Sequence, residues 1–433
     1  MSCRGRPSSQ YGSSETRSGT KDADTCTVGQ AEPLRVVFWG IYDLGKPRNR
    51  LIRAALAAAE IDVLEIHADI WRDIEDKSQF RGFFARASLF FRWLVCYPTL
   101  LFRYLRAPDH DAVLVGYLGH LDTLVIWPFA RLRGKPIVWD AFLSLYDTVV
   151  LDRGMVGISH PLAWAIRGWE WVACRAARRV VLDTDSHAAL FQSLYRLPPE
   201  RTAKVMVGAE VDVFHPNPRP TASSVELDVT SDNRTEMTIL FYGQFIPLHG
   251  IPTIVEAARM AEDRPFRWVL IGRGQEEARI RAMIDAQPLE RLAWISWVPY
   301  DQLGMWLQQS DLCLGIFGNT GKASRVIPNK VFQILAADRP LVTRDGPAIR
   351  ELITDQTPGI DLVPPADPTA LLASIDRFHT DWAARRSVSV NLHTSLCEEF
   401  SVKRLGLAWH QILAESIGRP ADTTPGGVCT FIE

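Results

Sequence analysis

The sequence predicts an α/β protein with two doubly wound domains that face each other across a cleft. Three observations predict this fold: short apolar runs rich in β-branched residues, helical stretches between them, and a break after which the alternation restarts. The chain of 433 residues is also too long for one compact core. Ligands of such sheets bind beyond the carboxyl ends of the strands, so functional residues are expected there.

The first series of apolar runs predicts the strands of an N-terminal domain over residues 33–215. Its runs are 34–40, 111–117, 135–140, 178–184 and 203–209. Residues 216–236 are polar and contain prolines, which is typical of an interdomain linker. The second series predicts a C-terminal domain over residues 237–400. Its runs are 237–243, 267–274, 292–298, 311–317 and 340–345.

The two ends of the chain differ in amino-acid composition from these domains. Residues 1–32 have no apolar core of a signal peptide and are rich in Ser, Thr and Gly, so we expect a disordered tail. Residues 419–433 are similar in composition and are also expected to be disordered. Between the second domain and this end, residues 401–418 are expected to form a helix that packs back toward the first domain.

Composition excludes several classes of protein. The formal net charge of −2 gives no general attraction to nucleic acid or to membranes, so no nucleic-acid partner is expected. Seven cysteines are scattered without a C-x-x-C pair, which suggests neither a zinc site nor a disulfide framework. A reducing, cytoplasmic environment fits best.

The stretch 80–106 is aromatic and basic, with no acidic residue. Arg81, Arg92 and Arg103 are eleven residues apart, so on a straight helix they form one stripe. The longest uncharged run is too short to span a bilayer, but the pattern is typical of a helix lying on an anionic membrane surface. The alternative is packing on the sheet, with Pro98 interrupting the helix.

Two glycine loops follow predicted strands of the second domain. The first loop lies between Gly243 and Gly250 and leads into a helix that Pro252 opens. The second loop contains Gly272 and Gly274. Glycines let the backbone approach a ligand closely, and the helix N-terminus behind them favours phosphate. A single G-x-G is a weak signal, so the inference depends on both loops together.

A third segment supplies positive charge at another strand end. Lys322, Arg325 and Lys330 lie within nine residues of each other, and Asn329 and Gln333 share one side of the following helix with Lys330. A diphosphate would satisfy the two glycine loops and these cations together. The alternative is that Lys322 and Arg325 are solvated loop charges.

The motifs of the second half resemble those of the family 4 retaining glycosyltransferases, whose two-domain architecture is called GT-B. The resemblance is carried by the first glycine loop with its "HG-I" helix start, by "VLIGRG" (269–274), by "WVPYDQL" (297–303) and by "IPNKVFQILAADRPLV" (327–342). A more moderate similarity extends through "WDAFLSLYDTVVLDRG" (139–154), so that it covers roughly residues 34–417.

The resemblance implies a donor site for a nucleotide-sugar, and the sequence departs from the family there. Members commonly have an arginine and a lysine in the first loop, where this chain has Gln244 and His249. Two glutamates eight residues apart, the second on the ribose, correspond to Arg325 and Gln333. Because Arg325 and Lys330 supply other cations, we expect a different set of residues to neutralise the donor phosphates. The alternative is an inactive enzyme. Further donor contacts are expected from Arg273, Val298 and Asn329.

In relatives of this kind, transfer depends on stabilising the leaving diphosphate and requires no metal. Arg325, Lys330 and the helix N-termini are therefore expected to act as electrostatic catalysts. No D-x-D pair is placed so as to suggest a metal site: "DTD" (183–185) follows a strand of the first domain and is expected to cap the next helix. No cofactor beyond the nucleotide-sugar substrate is expected.

The acceptor is expected to meet the first domain at its strand ends. Asp140 is a candidate catalytic residue that orients an acceptor hydroxyl, although strand-end aspartates are often turn or cap residues. A structural salt bridge explains Glu170 equally well. The other residues expected on the acceptor side are Gly40, Arg48, Asp147 and Glu170.

The resemblance implies a cytoplasmic enzyme that transfers a sugar to a glycan or lipid-linked acceptor in cell-envelope polysaccharide or glycolipid synthesis. Contact with the inner membrane surface is expected through residues 80–106. Two alternatives remain open at this stage: a nucleotide-sugar epimerase of the same fold, and a noncatalytic protein that binds sugar nucleotides.

Overall fold

A computed structural model of the chain describes residues 33–70, 83–216, 236–381 and 392–419. The predicted tail 1–32 lies outside the described residues, as do nearly all of the predicted linker 216–236 and of the predicted tail 419–433. The first residues of the 80–106 stretch, Arg81 among them, are outside as well.

The first lobe contains a parallel six-stranded sheet in the order β2-β1-β3-β4-β5-β6. Its central strands are almost fully buried, as continuous apolar runs predict. The strands are β1 (Arg35–Gly40), β2 (Asp62–His67), β3 (Ala112–Val115), β4 (Ile137–Phe142), β5 (Arg179–Leu182) and β6 (Thr202–Lys204).

Helices cover both faces of this sheet. The helices are α1 (Pro47–Ala58), α2 (Phe83–Leu105), α3 (His120–Leu132), α4 (Pro161–Ala176) and α5 (Asp185–Tyr195). Side chains of α2 to α5 pack with one face of the sheet and those of α1 with the other. After β4 the chain forms a short π-helix, Asp147–Asp152, near the carboxyl edge of the sheet.

The second lobe repeats this architecture with a parallel sheet in the order β12-β11-β10-β7-β8-β9. Its strands are β7 (Met237–Tyr242), β8 (Phe266–Ile271), β9 (Leu292–Ile295), β10 (Leu312–Leu314), β11 (Leu341–Arg344) and β12 (Ile360–Val363). Its helices are α6 (Ile251–Met260), α7 (Glu277–Ala286), α8 (Leu303–Gln309), α9 (Gly321–Arg325), α10 (Asn329–Ala336) and α11 (Pro368–Thr380). The predicted two-lobed α/β fold is thereby confirmed.

Two helices end the described chain, α12 (Thr394–Glu399) and α13 (Val402–Ser416). α13 packs along α1 of the first lobe, where Leu405 and Trp409 are buried. Arg179 of the first lobe also forms an ion pair with Glu415 at 3.0 Å. The chain therefore crosses back from the second lobe to the first.

Sequence reasoning missed β2 and β12, and both are edge strands. An edge strand pairs on one side only and accepts charged residues, as "DVLEIH" and "IDLV" do, so its apolar pattern is weak. Pro98 lies inside α2 without ending it. Within the described residues, α2 included, no helix combines the length and apolarity needed to cross a bilayer.

Candidate functional site

Three loops of the second lobe meet at the carboxyl ends of β7, β8 and β10. A Cβ atom on Gly272, whose φ is +151°, would lie 1.9 Å from the carbonyl oxygen of Gly243. A Cβ on Gly250 would lie 2.5 Å from the carbonyl carbon of Phe317, in the loop after β10. A Cβ on Gly274 would lie 2.7 Å from the carbonyl oxygen of Phe245. These glycines let the three loops pack directly on one another.

Lys330 lies beneath these loops, in the first turn of α10. Its side chain is buried, and its ammonium lies 3.6 Å from the centre of the Phe241 ring. Its closest oxygen partner is the carbonyl of Gly315, at 3.4 Å. No carboxylate of the described residues forms an ion pair with it, and burial holds the pKa of Lys330 well below its usual range. An ammonium in this environment is suited to an anionic ligand.

His249 lies beside Lys330 in the first glycine loop. Its Nδ1 donates to the carbonyl oxygen of Gln244, while the Gln244 side chain is exposed. Burial and the charge of Lys330 hold the pKa of His249 well below 6.5, so the ring is neutral at physiological pH. With its proton on Nδ1, the neutral ring has an unprotonated Nε2, which accepts but cannot donate a hydrogen bond, and it lacks the charge of a lysine.

Arg325 and Lys322, on α9, both bond to the π-helix of the first lobe. A terminal nitrogen of Arg325 donates to Asp147 Oδ1 at 2.6 Å, and Lys322 Nζ donates to Thr148 Oγ1 at 2.6 Å. The Nε of Arg325 and Oδ2 of Asp147 are buried and have no hydrogen-bond partner among the described residues. Burial lowers the pKa of Lys322. These two cations are neither solvated nor turned away from the cleft.

Further contacts hold the two lobes together around these cations. Thr320 donates to Asp152 at 2.7 Å, again joining α9 to the π-helix. At another point Glu351 of the second lobe accepts from the backbone N–H groups of Asp185 and Ser186, at 2.8 and 2.9 Å, in the first turn of α5. The two lobes are therefore in contact across the cleft in this structure.

Sequence reasoning missed Arg153, which follows the π-helix. Its Nε is buried and has no hydrogen-bond partner in the described ranges. Its charge lowers the pKa of both His249 and Lys322, so it lies near the first glycine loop and α9 although it belongs to the first lobe. Nothing local to "LDRG" indicates this, because the contact depends on how the lobes face each other.

Gln333 lies in a chain of side-chain hydrogen bonds that crosses between the lobes. Its amide nitrogen donates to Tyr300 Oη at 3.1 Å, and its amide oxygen accepts from Tyr242 at 2.9 Å. Tyr300 in turn donates to Glu210 at 2.6 Å. Glu210 accepts two bonds of 2.7 Å from the guanidinium of Arg50, on α1. The orientation of Gln333 is thus set by partners from both lobes.

The remaining predicted donor residues are close to this region, with varied surroundings. Asn329 is the first residue of α10 and is half-buried. Val298 and Tyr300 are both partly buried and pack against the same hydrophobic cluster. The carbonyl oxygen of Arg273 accepts from Phe245 N at 3.0 Å, which ties the two glycine loops together.

On the acceptor side, Asp140 and Arg48 bind each other. Both carboxylate oxygens of Asp140 accept from the Arg48 guanidinium, at 2.7 and 3.1 Å, and both side chains are buried. Arg48 also donates to the carbonyls of Val205 and Met206, at 2.8 Å each. This differs from the expectation that Asp140 faces an acceptor hydroxyl, because its oxygens are already occupied. The pair holds β4, α1 and the chain after β6 together.

Gly40 ends β1 with a φ of +131°, and a Cβ there would lie 2.8 Å from Asp122 Oδ2. Asp122 accepts from Ile41 N at 3.3 Å and from Tyr97 Oη at 2.9 Å. Burial raises the pKa of Asp122 to about 7. This carboxyl group therefore fixes the loop after β1 from below.

Glu170 is a buried structural anchor. It accepts from His120 Nε2 at 3.0 Å, from Ser144 Oγ at 2.8 Å and from the backbone N–H of Leu145 at 3.0 Å. Although burial opposes ionisation, these donors hold its pKa below the usual range. These contacts favour the structural alternative for Glu170. By accepting from Ser144 and Leu145, Glu170 positions the segment that leads into Asp147.

Thr184, in "DTD", caps α5 by accepting from the backbone N–H of His187, as predicted. Among the described residues, no group of three or more His, Cys, Asp or Glu side chains is arranged to hold a metal ion.

Known proteins resemble this chain in fold and in part of its sequence. It aligns structurally with a sucrose-phosphate synthase from Thermosynechococcus elongatus, with a TM-score of 0.64 and 17% identity, over 88% of this chain and 98% of that one. It also aligns with Anabaena Alr3699/HepE in complex with UDP-glucose, with a TM-score of 0.59 and 14% identity, over 89% and 99% of the two chains. Together with its two facing six-stranded lobes, these likenesses define a GT-B protein.

Sequence comparison identifies the family of the second lobe. Residues 236–381 match the family described as glycosyl transferases group 1, and this lobe belongs to it. The putative colanic acid biosynthesis glycosyl transferase WcaI of Escherichia coli K12 is 25% identical over 169 residues, which is 39% of each chain. The α-D-kanosaminyltransferase of Streptomyces kanamyceticus is 22% identical over 399 residues, covering 88% of this chain and 94% of that relative.

Proposed function

We propose that this group 1 glycosyltransferase moves a sugar from a nucleotide-sugar to a glycan or lipid-linked acceptor, with retention at the anomeric carbon. We place the reaction in cell-envelope polysaccharide or glycolipid synthesis at the cytoplasmic side of the membrane. The observation that carries the proposal is the buried ammonium of Lys330 beneath two glycine loops. A diphosphate supplies the negative charge that this ammonium lacks.

Around a diphosphate, the other cations take complementary roles. Arg325, Lys322 and Arg153 approach from the rim of the cleft, while the neutral ring of His249 adds no charge there. As the bond from the sugar to the diphosphate breaks, negative charge builds on the leaving oxygen, and these fixed positive groups stabilise it. In other enzymes a bound metal ion stabilises a phosphate leaving group in the same electrostatic way.

The base and ribose of the donor lie toward Gln333 in this proposal. The amide group of Gln333 both donates and accepts, so it suits ribose hydroxyls. UDP is bound by the structurally similar Anabaena protein, and a uridine nucleotide is therefore the first donor to test.

The acceptor enters between the lobes, next to the loop after β1 and the π-helix. Asp147 is the acceptor-side carboxylate that faces the donor cations, whereas Asp140 and Arg48 support the wall behind it. For membrane contact through 80–106, the exposed Val95, Phe102 and Leu105 of α2 are favourable. Arg103 is not free there, because it donates to the carbonyls of His67 and Glu65.

The proposal is tested by incubating the full chain with labelled UDP-, GDP-, ADP- and CMP-sugars and an extract of membrane lipids and glycans. Transfer of label to an acceptor supports it. A changed free sugar nucleotide would instead indicate an epimerase, and binding without either product a noncatalytic protein.

Calorimetry with the nucleoside diphosphate tests the donor site itself. Lys330→Ala and Arg325→Ala are each expected to weaken binding by about 1.5–3 kcal/mol, the range for hydrogen bonds to charged groups. Lys403→Ala, at an exposed position on α13, is the matched control. Unchanged affinity in both site variants would remove the assignment.

A further inference from the structure

The outer surface of α4 and the loop before it is apolar and exposed. Trp164 is 73% exposed, Met155 65% and Ile158 63%, and Trp171 and Val172 are also exposed. Trp171 and Val172 follow Trp164 by seven and eight residues. All three therefore lie on one side of the helix, opposite its buried residues. We call this surface the α4 face. A helix face with two exposed tryptophans is unusual for a surface in contact with water alone.

The charge on the same segment has a single sign. From residue 155 to residue 178 the chain carries three arginines, Arg167, Arg175 and Arg178, and one carboxylate, Glu170. Glu170 is fully buried by the donors described above, so it contributes no negative charge to the surface. The Arg175 guanidinium lies 3.7 Å from the centre of the Trp171 ring, which places a cation directly beside the exposed aromatic groups. This combination is complementary to an anionic surface with an apolar interior.

A basic groove of about 770 Å³ continues the α4 face at its C-terminal end. Arg131, Arg175, Arg178 and Arg201 line it, together with Trp127 of α3. The guanidinium groups of Arg131 and Arg178 form no ion pair with any described residue. The charges of Arg178 and Arg175 help to lower the pKa of Arg201, after the larger effect of burial. The lining also includes one carboxylate, Asp111, against four arginines and Lys135, so the groove has a net positive charge that an anion would offset.

We propose that the α4 face docks on an anionic lipid bilayer, with its tryptophans at the interface and lipid phosphates in the basic groove. The surface lies outside the 80–106 stretch, and α4 itself carries none of the cations proposed to bind the donor. Neighbouring exposed apolar residues extend it, since Leu132 of α3 is 84% exposed beside the groove. Bilayer docking does not depend on the donor chemistry, so either proposal can fail while the other holds.

Sedimentation of the full chain with vesicles tests this docking. Vesicles of phosphatidylglycerol and phosphatidylcholine are expected to carry down the native protein at low salt, and vesicles of phosphatidylcholine alone are not. The double change Trp164→Glu with Trp171→Glu is expected to abolish binding. Arg131→Glu with Arg178→Glu is expected to lower it at least about tenfold, because each basic residue near such a surface contributes about 1 kcal/mol.

The control is Met260→Glu, which places the same charge at an exposed apolar position on the second lobe. It should bind vesicles like the native protein, and all variants should keep the native melting temperature and nucleotide affinity. Equal binding to neutral and anionic vesicles, or native binding by both double variants, would overturn the proposal. So would sedimentation velocity in the absence of lipid showing a dimer that Trp164→Glu dissociates, since a second copy would then cover the face.

Discussion

Arg325 of the second lobe donates to Asp147 of the first lobe at 2.6 Å, across the cleft in which the donor is proposed to bind. One oxygen of Asp147 and the Nε of Arg325 remain without hydrogen-bond partners among the described residues. The pair therefore joins the lobes while leaving hydrogen-bonding capacity on both sides. A diphosphate and Asp147 would share this one guanidinium.

Asp147→Asn should tighten binding of a nucleoside diphosphate. The change removes a negative charge near the phosphates and frees Arg325 from a competing carboxylate. The expected gain is at least about 1 kcal/mol, the size of a Coulomb interaction at about 4 Å in bulk water, because Asp147 is buried. Calorimetry measures it, with Asp285→Asn on the exposed side of α7 as the control. Weaker binding would mean that Asp147 itself holds the ligand.

Lys330→Met should stabilise the free protein and weaken donor binding. A buried ammonium without a carboxylate partner opposes folding, and an apolar chain of similar shape removes that cost. We expect a higher melting temperature and nucleotide affinity lower by at least about tenfold. Lys403→Met should change neither quantity. If Lys330→Met lowers the melting temperature, the ammonium has a structural role instead.

Tyr300→Phe should weaken UDP binding by acting through Gln333. The lost hydroxyl leaves the amide nitrogen of Gln333 without its partner, and stability should fall by about 1–2 kcal/mol. Pyrophosphate, which lacks a ribose, should bind as before.

The effect of Tyr300→Phe on UDP affinity should also disappear in a Gln333→Ala background. An equal loss for pyrophosphate and UDP would show general damage to the lobe instead of a positioning role.

Asp122→Asn should change how stability depends on pH. The folded-state pKa of Asp122 is about 7, above its ordinary value of 3.8, so the folded protein holds this proton more tightly than the unfolded chain. Its contribution to stability therefore falls as pH rises between these values, by up to about 1.4 kcal/mol per pH unit. Urea unfolding between pH 4.5 and pH 8, at about half-unit steps, compares the slopes. Equal slopes for the native chain and the variant would contradict this assignment.

The sequence by itself determined the two α/β lobes and the three segments that converge on the proposed donor site. Apolar runs mark central strands because those strands are buried on both faces, and glycines mark close backbone approaches because no other residue fits. The edge strands β2 and β12 escaped this reasoning, since carboxylates interrupt their short apolar runs.

Only the tertiary structure decided which charges meet. Three of these contacts join residues that are far apart in the chain. Arg48 pairs with Asp140, Arg325 pairs with Asp147, and Arg153 lies near the first glycine loop. Such contacts depend on the relative placement of helices, loops and lobes, and a local pattern carries no information about that placement. For the same reason, the sequence indicated which residues carry charge but not that Lys330 is buried without a carboxylate.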